Sequence, residues 1–303
     1  MNSFEDILNA LKGKPKKTIA VAMAEDADCL MAVAHAHKEG LADAVLVGNK
    51  SKITEIGKNI GVDLGAFDIV DTDGEQQSVV RAIQIVREHL ADTLMKGNCS
   101  TATLLRGVLD KDHGLREGKI LSHFAAFELQ TYHKLLYMSD AAMNIAPDLE
   151  TKIAITENAI HAVRKIGIAT PKVGIIAAVE KVNYASMPCT TDAAIMCKMA
   201  QRGQIANAIL DGPLALDNAV SKKSCEVKML DSPVGGDADI LIMPDLEAAN
   251  VFYKTLTYLG GSKSAGIITG AKVPVILPSR ADSEETKFLS LALGMITSVR
   301  ERA

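Results

Sequence analysis

The chain has 303 residues, 48% of them hydrophobic and 23% charged, with a formal net charge of -4. That length is too great for one comfortable core and suits two domains of ~150 residues each, with the composition of a soluble globular protein. The weak negative charge offers no basic field, which argues against bulk nucleic-acid binding; local anion sites stay possible, because they need only a few placed cations.

The opening, "MNSFEDILNALKGKPKK", runs from acidic through amphipathic to basic and has no secretory pattern. No apolar stretch reaches the ~20 residues that span a bilayer, so no membrane association is expected. Five cysteines (Cys29, Cys99, Cys189, Cys197, Cys225) form an odd set without a CxxC pair, and reduced thiols in the cytoplasm are the simplest account. Trp is absent and aromatics make up 4%, a poor basis for base stacking.

"TIAVAMA" (18–24) reads as a buried strand, followed by a helix over "DADCLMAVAHAHKEG" that closes at Gly40. "DAVLVGN", a helix over 51–60 and "FDIVDT" come next. In the helix "GEQQSVVRAIQIVREHLA", Val79, Val80, Ile83 and Val86 recur at helical spacing. "DTLMKGN" (92–98) is a strand running into a turn. Such βαβα patterning implies a parallel sheet covered by helices on both faces.

The texture changes at "KILSHFAAFEL" (119–129) and "HKLLYMSD" (133–140), two strands too close for a crossover helix. They pair antiparallel or belong to different sheets. Alternation resumes with a helix over 149–166, strand "KVGIIAAV", helix "TTDAAIMCKMAQRG" and strand "NAILDG". A polar loop through 217–237 follows, then strand "DILIMP", helix "LEAANVFYKTLTYLGG", strands "AGIITG" and "VPVILPS", and a last helix from about 282. The expected fold is two α/β domains with a cleft, and ligands of such folds sit beyond the carboxyl ends of parallel strands.

The residues just past those ends are Lys96-Gly97-Asn98, Ser100-Thr101 at a helix start with Arg106 beyond, Ser122, Asp211-Gly212, and Ser279-Arg280. Hydroxyls and cations dominate and helix N-termini recur, which is the chemistry of an anion site. Each also has an ordinary reading. Ser279 serves as a turn hydroxyl, Arg280 as a surface partner of Glu284, and Arg106 as a polar-face residue of its helix. "DSEE" fits a capping box of Asp282 with Glu285. No HExxH, CxxC or paired DxxxD marks a metal site, no Walker loop occurs, and no GxGxxG follows the first strand. His35 and His37 face different ways on their helix, and Met196 and Met199 read as core.

Taken together, "LMKGNCSTATLLRGVL", "LSHFAAFE", "MPCTTDAAIMCKMAQRGQI", "DGPLALDNAV", "MPDLEAANVFYKTLTY" and "AKVPVILPSRADSEETK" make the chain resemble the phosphate acetyl/butyryltransferases, most closely the butyryl branch. The resemblance implies two α/β domains of the isocitrate/isopropylmalate dehydrogenase kind. Residues 1–118 plus 272–303 would form the first and 119–271 an inserted second. It implies exchange of an acyl group between coenzyme A and phosphate, no cofactor beyond the coenzyme A substrate, and a homodimer or higher homo-oligomer.

By the same resemblance Ser279, Arg280 and Arg106 are catalytic, and Lys96, Ser100, Thr101 and Ser122 bind phosphate or acyl phosphate. The acetyl branch carries an aspartate where this chain has Thr286, so the base for the thiol is open between Glu285, Asp282 and direct activation by Arg280. Two further classes stay in view: a dehydrogenase of the same fold, and a sensor that binds coenzyme A without turnover.

Overall fold

A computed structural model describes residues 1–117, 120–279 and 282–298. In chain order the first stretch contains α1 (Phe4–Leu11), β1 (Lys17–Ala22), α2 (Ala27–Lys38), β2 (Ala42–Gly48), α3 (Lys50–Asn59), β3 (Asp68–Asp71), α4 (Gly74–Arg87), β4 (Thr93–Lys96) and α5 (Thr101–Val108). The middle stretch contains β5 (Ser122–Glu128), β6 (Leu136–Ser139), α6 (Leu149–Ile166), β7 (Lys172–Ile176), α7 (Pro188–Gln201), β8 (Ile209–Leu214), α8 (Leu216–Val220), α9 (Lys222–Val227), β9 (Ile240–Ile242) and α10 (Leu246–Lys254). The chain ends with β10 (Lys263–Thr269), β11 (Val275–Ile276) and α11 (Glu284–Thr297).

These elements gather into two compact units. Glu5–Lys119 and Ala265–Ala303 make the terminal unit; Met1–Phe4 and Ile120–Ser264 make the central unit. In the terminal unit the strand order is β3-β2-β1-β4-β11-β10, parallel from β3 to β11 and antiparallel at the β10–β11 pair. In the central unit the order is β5-β6-β9-β7-β8. There β5 and β6 pair antiparallel, as the short connection requires, and the other pairs are parallel.

Inner strands such as β4, β6 and β9 are buried along their whole length, as expected of strands covered on both faces. Ile19, Ala20, Val21, Leu94 and Met95 are fully buried in the terminal unit, and Leu136, Met138, Leu241 and Leu214 anchor the central core. Helical spacing places Val79, Ile83 and Val86 of α4 inside, while Val80 stays half-exposed. Met196 is fully buried, as its spacing on α7 predicts.

Two local expectations need correction. The polar stretch 217–237 is not a plain loop. It holds α8 and α9, which tuck Ala219 and Cys225 inward behind a Ser221 cap, a pattern too short for periodicity to reveal. The final helix starts two residues later than expected, and its cap is Ser283 instead of Asp282. The Ser283 side chain accepts from the Thr286 N–H.

Candidate active site

Parallel strands β1, β4 and β11 end at one edge of the terminal sheet. Ala22 is level with Lys96, and Ile276 is level with Met95, so the residues after Ile276 emerge beside the Lys96 turn. The Gly97 and Asn98 N–H groups donate to the carbonyls of Ala22 and Met23, which binds this turn to the end of β1. A side chain at Gly97 would run into the Met23 carbonyl, so the close approach requires glycine.

Lys96 is 8% exposed, and its Nζ donates to the carbonyl oxygens of Gly97 (3.0 Å) and Cys99 (3.3 Å). Among the described residues no carboxylate lies within ion-pair reach of it. Carbonyl dipoles hold a buried ammonium in place without cancelling its charge, which leaves it available to an anion. The surroundings of the neighbouring thiols disfavour the thiolate. Burial pushes Cys99 up to about 11, and burial together with the nearby Asp26 carboxylate drives Cys29 far above the thiol range.

At the next turn Ser100 is the N-cap of α5. Its hydroxyl accepts from the Thr103 N–H and contacts the Thr103 hydroxyl, while its own N–H donates to Glu75 Oε1 at 2.8 Å. Ser100 therefore spends its groups on holding the helix start. Glu75 reaches this position from the first turn of α4; the Ser100 N–H, then hydrogen bonds to Thr103 and Ser100 and the nearby Arg106 charge, hold its carboxyl below the usual range. Thr101 is the first residue of the helix and is exposed.

Arg106 is exposed on α5 and lines a cavity of about 580 Å³ between α4 and α5. Val80, Ile83 and Gly107 form its apolar side, and Gln76, Arg87 and His113 line it elsewhere. Gly107 permits the close packing, since a Cβ there would press on Ile83 and Val79.

Beyond β11, Ser279 is exposed and is tied to Asp282 by two hydrogen bonds. Its N–H donates to Asp282 Oδ2 at 2.7 Å, and the Asp282 N–H returns to the Ser279 carbonyl. Arg280 lies outside the described residues. Ser283 and Thr286 hydroxyls meet at 3.1 Å, so Thr286 is part of the cap of α11; Glu285 is exposed in the same first turn.

Ser122 belongs to the central unit. It is fully buried at the start of β5, where its hydroxyl accepts from Asn158 Nδ2 at 3.0 Å. Asp211 accepts from the following Gly212 N–H. Lys96, Ser100, Thr101, Arg106, Ser279, Asp282 and Glu285 all belong to the terminal unit; the strand register sets the Lys96 turn beside the segment that leads to Ser279, Arg106 lines the α4–α5 cavity, and Ser122 sits with Asn158 in the other unit.

The sequence pattern of the phosphate acetyl/butaryl transferase family matches residues 3–80 and 75–295. The chain belongs to this family. It is 45% identical to a phosphate butyryltransferase of Clostridium acetobutylicum over 98% of this chain and 99% of that one. It is 43% identical to a phosphate acetyltransferase of Thermotoga maritima over 97% and 99%. Among solved structures, a branched-chain phosphotransacylase from Enterococcus faecalis V583 superposes with a TM-score of 0.83 at 34% identity, covering 93% of this chain and 98% of its own. A 4-hydroxythreonine-4-phosphate dehydrogenase from Burkholderia phymatum shares the fold alone, with a TM-score of 0.57 at 13% identity over 95% and 100%. The expected dehydrogenase-like α/β architecture is therefore present.

For a member of the phosphate acetyl/butyryltransferase family the strand edge has a consistent chemistry: a buried cation, a helix start and an exposed serine within one unit. Three residues of this edge carry no signal in the sequence. Glu75 reads as an acid in the first turn of its own helix, and nothing in its spacing shows that it caps the approach to another. Asp28 and Lys287 lie 259 residues apart and form an ion pair that only the fold reveals.

Proposed function

We propose that the protein is a phosphate acyltransferase that converts a short acyl-CoA and phosphate into acyl phosphate and coenzyme A, with butyryl-CoA preferred. The observation that carries the reading is the full-length family match, laid over a strand edge where buried Lys96 lies beside the segment that leads to Ser279. A phosphate oxygen attacks the thioester carbonyl, and a tetrahedral oxyanion forms beside a multiply charged phosphate. Its collapse breaks the C–S bond and releases the coenzyme A thiolate, which takes up a proton.

In this scheme the Ser279 hydroxyl donates to the reacting carbonyl oxygen, the kind of contact that stabilises the transition state more than the substrate. Lys96, Arg106 and Arg280 hold the phosphate, with the start of α5 at Thr101 contributing its dipole. Of the two candidate bases, Asp282 is the better placed, since its carboxylate already accepts from the Ser279 N–H, whereas Glu285 is exposed in the first turn of α11.

The exchange moves no electrons, so the proposal includes a reaction without redox cofactor or metal, in which treatment with a chelator leaves the rate unchanged. It also includes a cytoplasmic location, in keeping with five unpaired thiols, and a homodimer or higher homo-oligomer. Among the described residues no helix is long and apolar enough to cross a membrane.

The test is phosphate-dependent release of free thiol from acetyl-, propionyl-, butyryl- and branched acyl-CoAs. Butyryl-CoA is expected to lead; a difference of one or two methylenes is worth about 1–3 kcal/mol in an apolar pocket. A lead by acetyl-CoA would move the protein to the acetyltransferase reading that its Thermotoga relative favours. Coenzyme A binding with no thiol release would overturn catalysis and leave a sensor.

A further inference from the structure

The proposed reaction makes no use of Lys287, one of the most deeply buried charged side chains in the terminal unit. It is 3% exposed and its Nζ meets Asp28 Oδ2 at 2.6 Å, while the Asp28 side chain is 49% exposed. Lys287 sits in the first turns of α11, eight residues after Ser279, and its N–H donates to the carbonyl of the capping Ser283. Asp28 sits in the first turn of α2, directly after the turn that leaves β1. The pair therefore ties together the starts of two helices that both leave the same edge of the sheet.

A second contact keeps the register. The His35 ring stacks on Phe288 at 4.1 Å with planes 10° apart, and His35 Nδ1 lies 3.6 Å from Glu284. Asp28 and His35 are two turns apart on one face of α2, and Glu284, Lys287 and Phe288 share one face of α11 by their spacing of three and four. Stability alone gives little reason for this arrangement. An ammonium loses its hydration on burial, its partner is half in water, and a methionine of similar length would fill the space without that cost. A charge pair does something apolar contacts do poorly, which is to fix one register.

We propose that the Asp28–Lys287 ion pair is a positioning device for Ser279, pinning the first turn of α11 to that of α2 so that the serine stands where the reaction needs it. This rests on the acyltransferase reading of the site. Lys287 touches no substrate in the proposal and acts through the Ser283 cap and the hydrogen bonds that tie Asp282 to Ser279.

The experiment compares Lys287→Met, Asp28→Asn, the double variant and Lys287→Arg with the unaltered protein. Small displacements of a reacting group carry rate losses of up to about a hundredfold, so kcat is expected to fall at least about tenfold in each of the first two. The double variant should fall no further, because the pair acts as a unit. KM for phosphate and for the acyl-CoA should stay within about twofold, and Lys287→Arg should regain part of kcat.

A readout independent of activity is hydrogen exchange at the Ser279 amide. It should speed up in Lys287→Met while the melting temperature holds. Asp28→Asn leaves a buried ammonium unpaired and is the variant prone to unfold; Lys287→Met leaves only a half-solvated carboxylate and keeps the test open. Wild-type kcat with unchanged Ser279 exchange in Lys287→Met would overturn the proposal. Absence of phosphate-dependent thiol release in the unaltered protein would instead overturn the acyltransferase reading, and the exchange measurement would still judge the clamp.

Discussion

Two lysines buried to nearly the same depth, one in each unit, are treated differently. Lys152 of the central unit, 5% exposed, is paired with Asp192 at 2.7 Å. Lys96 of the terminal unit, 8% exposed, is given carbonyl oxygens and no carboxylate among the described residues. The contrast extends outward. Lys134 and Lys172 of the central unit converge on Asp237, with Asp239 also meeting Lys134, and Lys228 bridges Glu180 and Asp217. These central-unit pairs cancel their charges locally, as Lys287 and Asp28 do in the terminal unit. Lys96 has no such partner among the described residues, near the edge where parallel strands end, and a buried charge without a counter-ion is what an anionic substrate completes.

The strongest way to break this contrast is at Ser279. If the terminal edge holds the chemistry, Ser279→Ala should lower kcat by about a hundredfold or more, the usual loss for an oxyanion donor. Thiol-release kinetics at saturating phosphate decide it, and activity within about threefold of wild type would remove Ser279 from the mechanism.

Next in size is the comparison of the two lysines themselves. Lys152→Met strands Asp192, and breaking a buried pair this way typically costs about 3–5 kcal/mol, so thermal melting should fall by several degrees while KM for phosphate holds. Lys96→Met removes a charge that has no counter-ion. It should leave the melting temperature level or raised, and raise KM for phosphate strongly. Equal behaviour of the two variants would erase the distinction between the two lysines.

The smallest effect is on acid stability. Burial alone would raise the Asp237 carboxyl, but hydrogen bonds from Lys172, Lys134 and His133 outweigh it and hold the group well below its ordinary 3.8. A folded value below the unfolded one means stability that is fully present above about pH 4 and lost as pH falls through the lower folded value. Asp237→Asn should therefore melt earlier than wild type at neutral pH, with the difference shrinking toward pH 2. A gap that stays constant in acid would assign the loss to packing.

Much of this is legible in the sequence because alternation and strand ends are local signals. The runs that form β1, β4 and β11 are continuous and apolar, and Lys96, Ser100 and Ser279 are the polar groups close to the ends of the last two. The two clustered strands at 119–140 declare an antiparallel pair by the brevity of their connection, and β5 and β6 form it. Capping is legible in kind and misread in place. "DSEE" reads as a capping box on Asp282, and only three-dimensional contacts show that Asp282 turns back to Ser279 while Ser283 takes the helix. Arg106 is recognisable as a helix residue, but its place in the α4–α5 cavity depends on Gly107 letting the helices approach. Glu75 and the Asp28–Lys287 pair carry no periodic mark at all, since each joins elements that are distant along the chain.

One feature of the connectivity reaches beyond the folded state. In the terminal sheet β11 lies between β4 and β10, yet it is Val275–Ile276, far along the chain from Thr93–Lys96. At about 5–20 residues per second a ribosome takes roughly 10–40 s to travel between them. Throughout that interval one side of β4 has no neighbour, while the uninterrupted span Ile120–Ser264 emerges whole. The usual order of birth is inverted: the part begun first is finished last, and β4 is the strand a nascent-chain chaperone would have reason to shield.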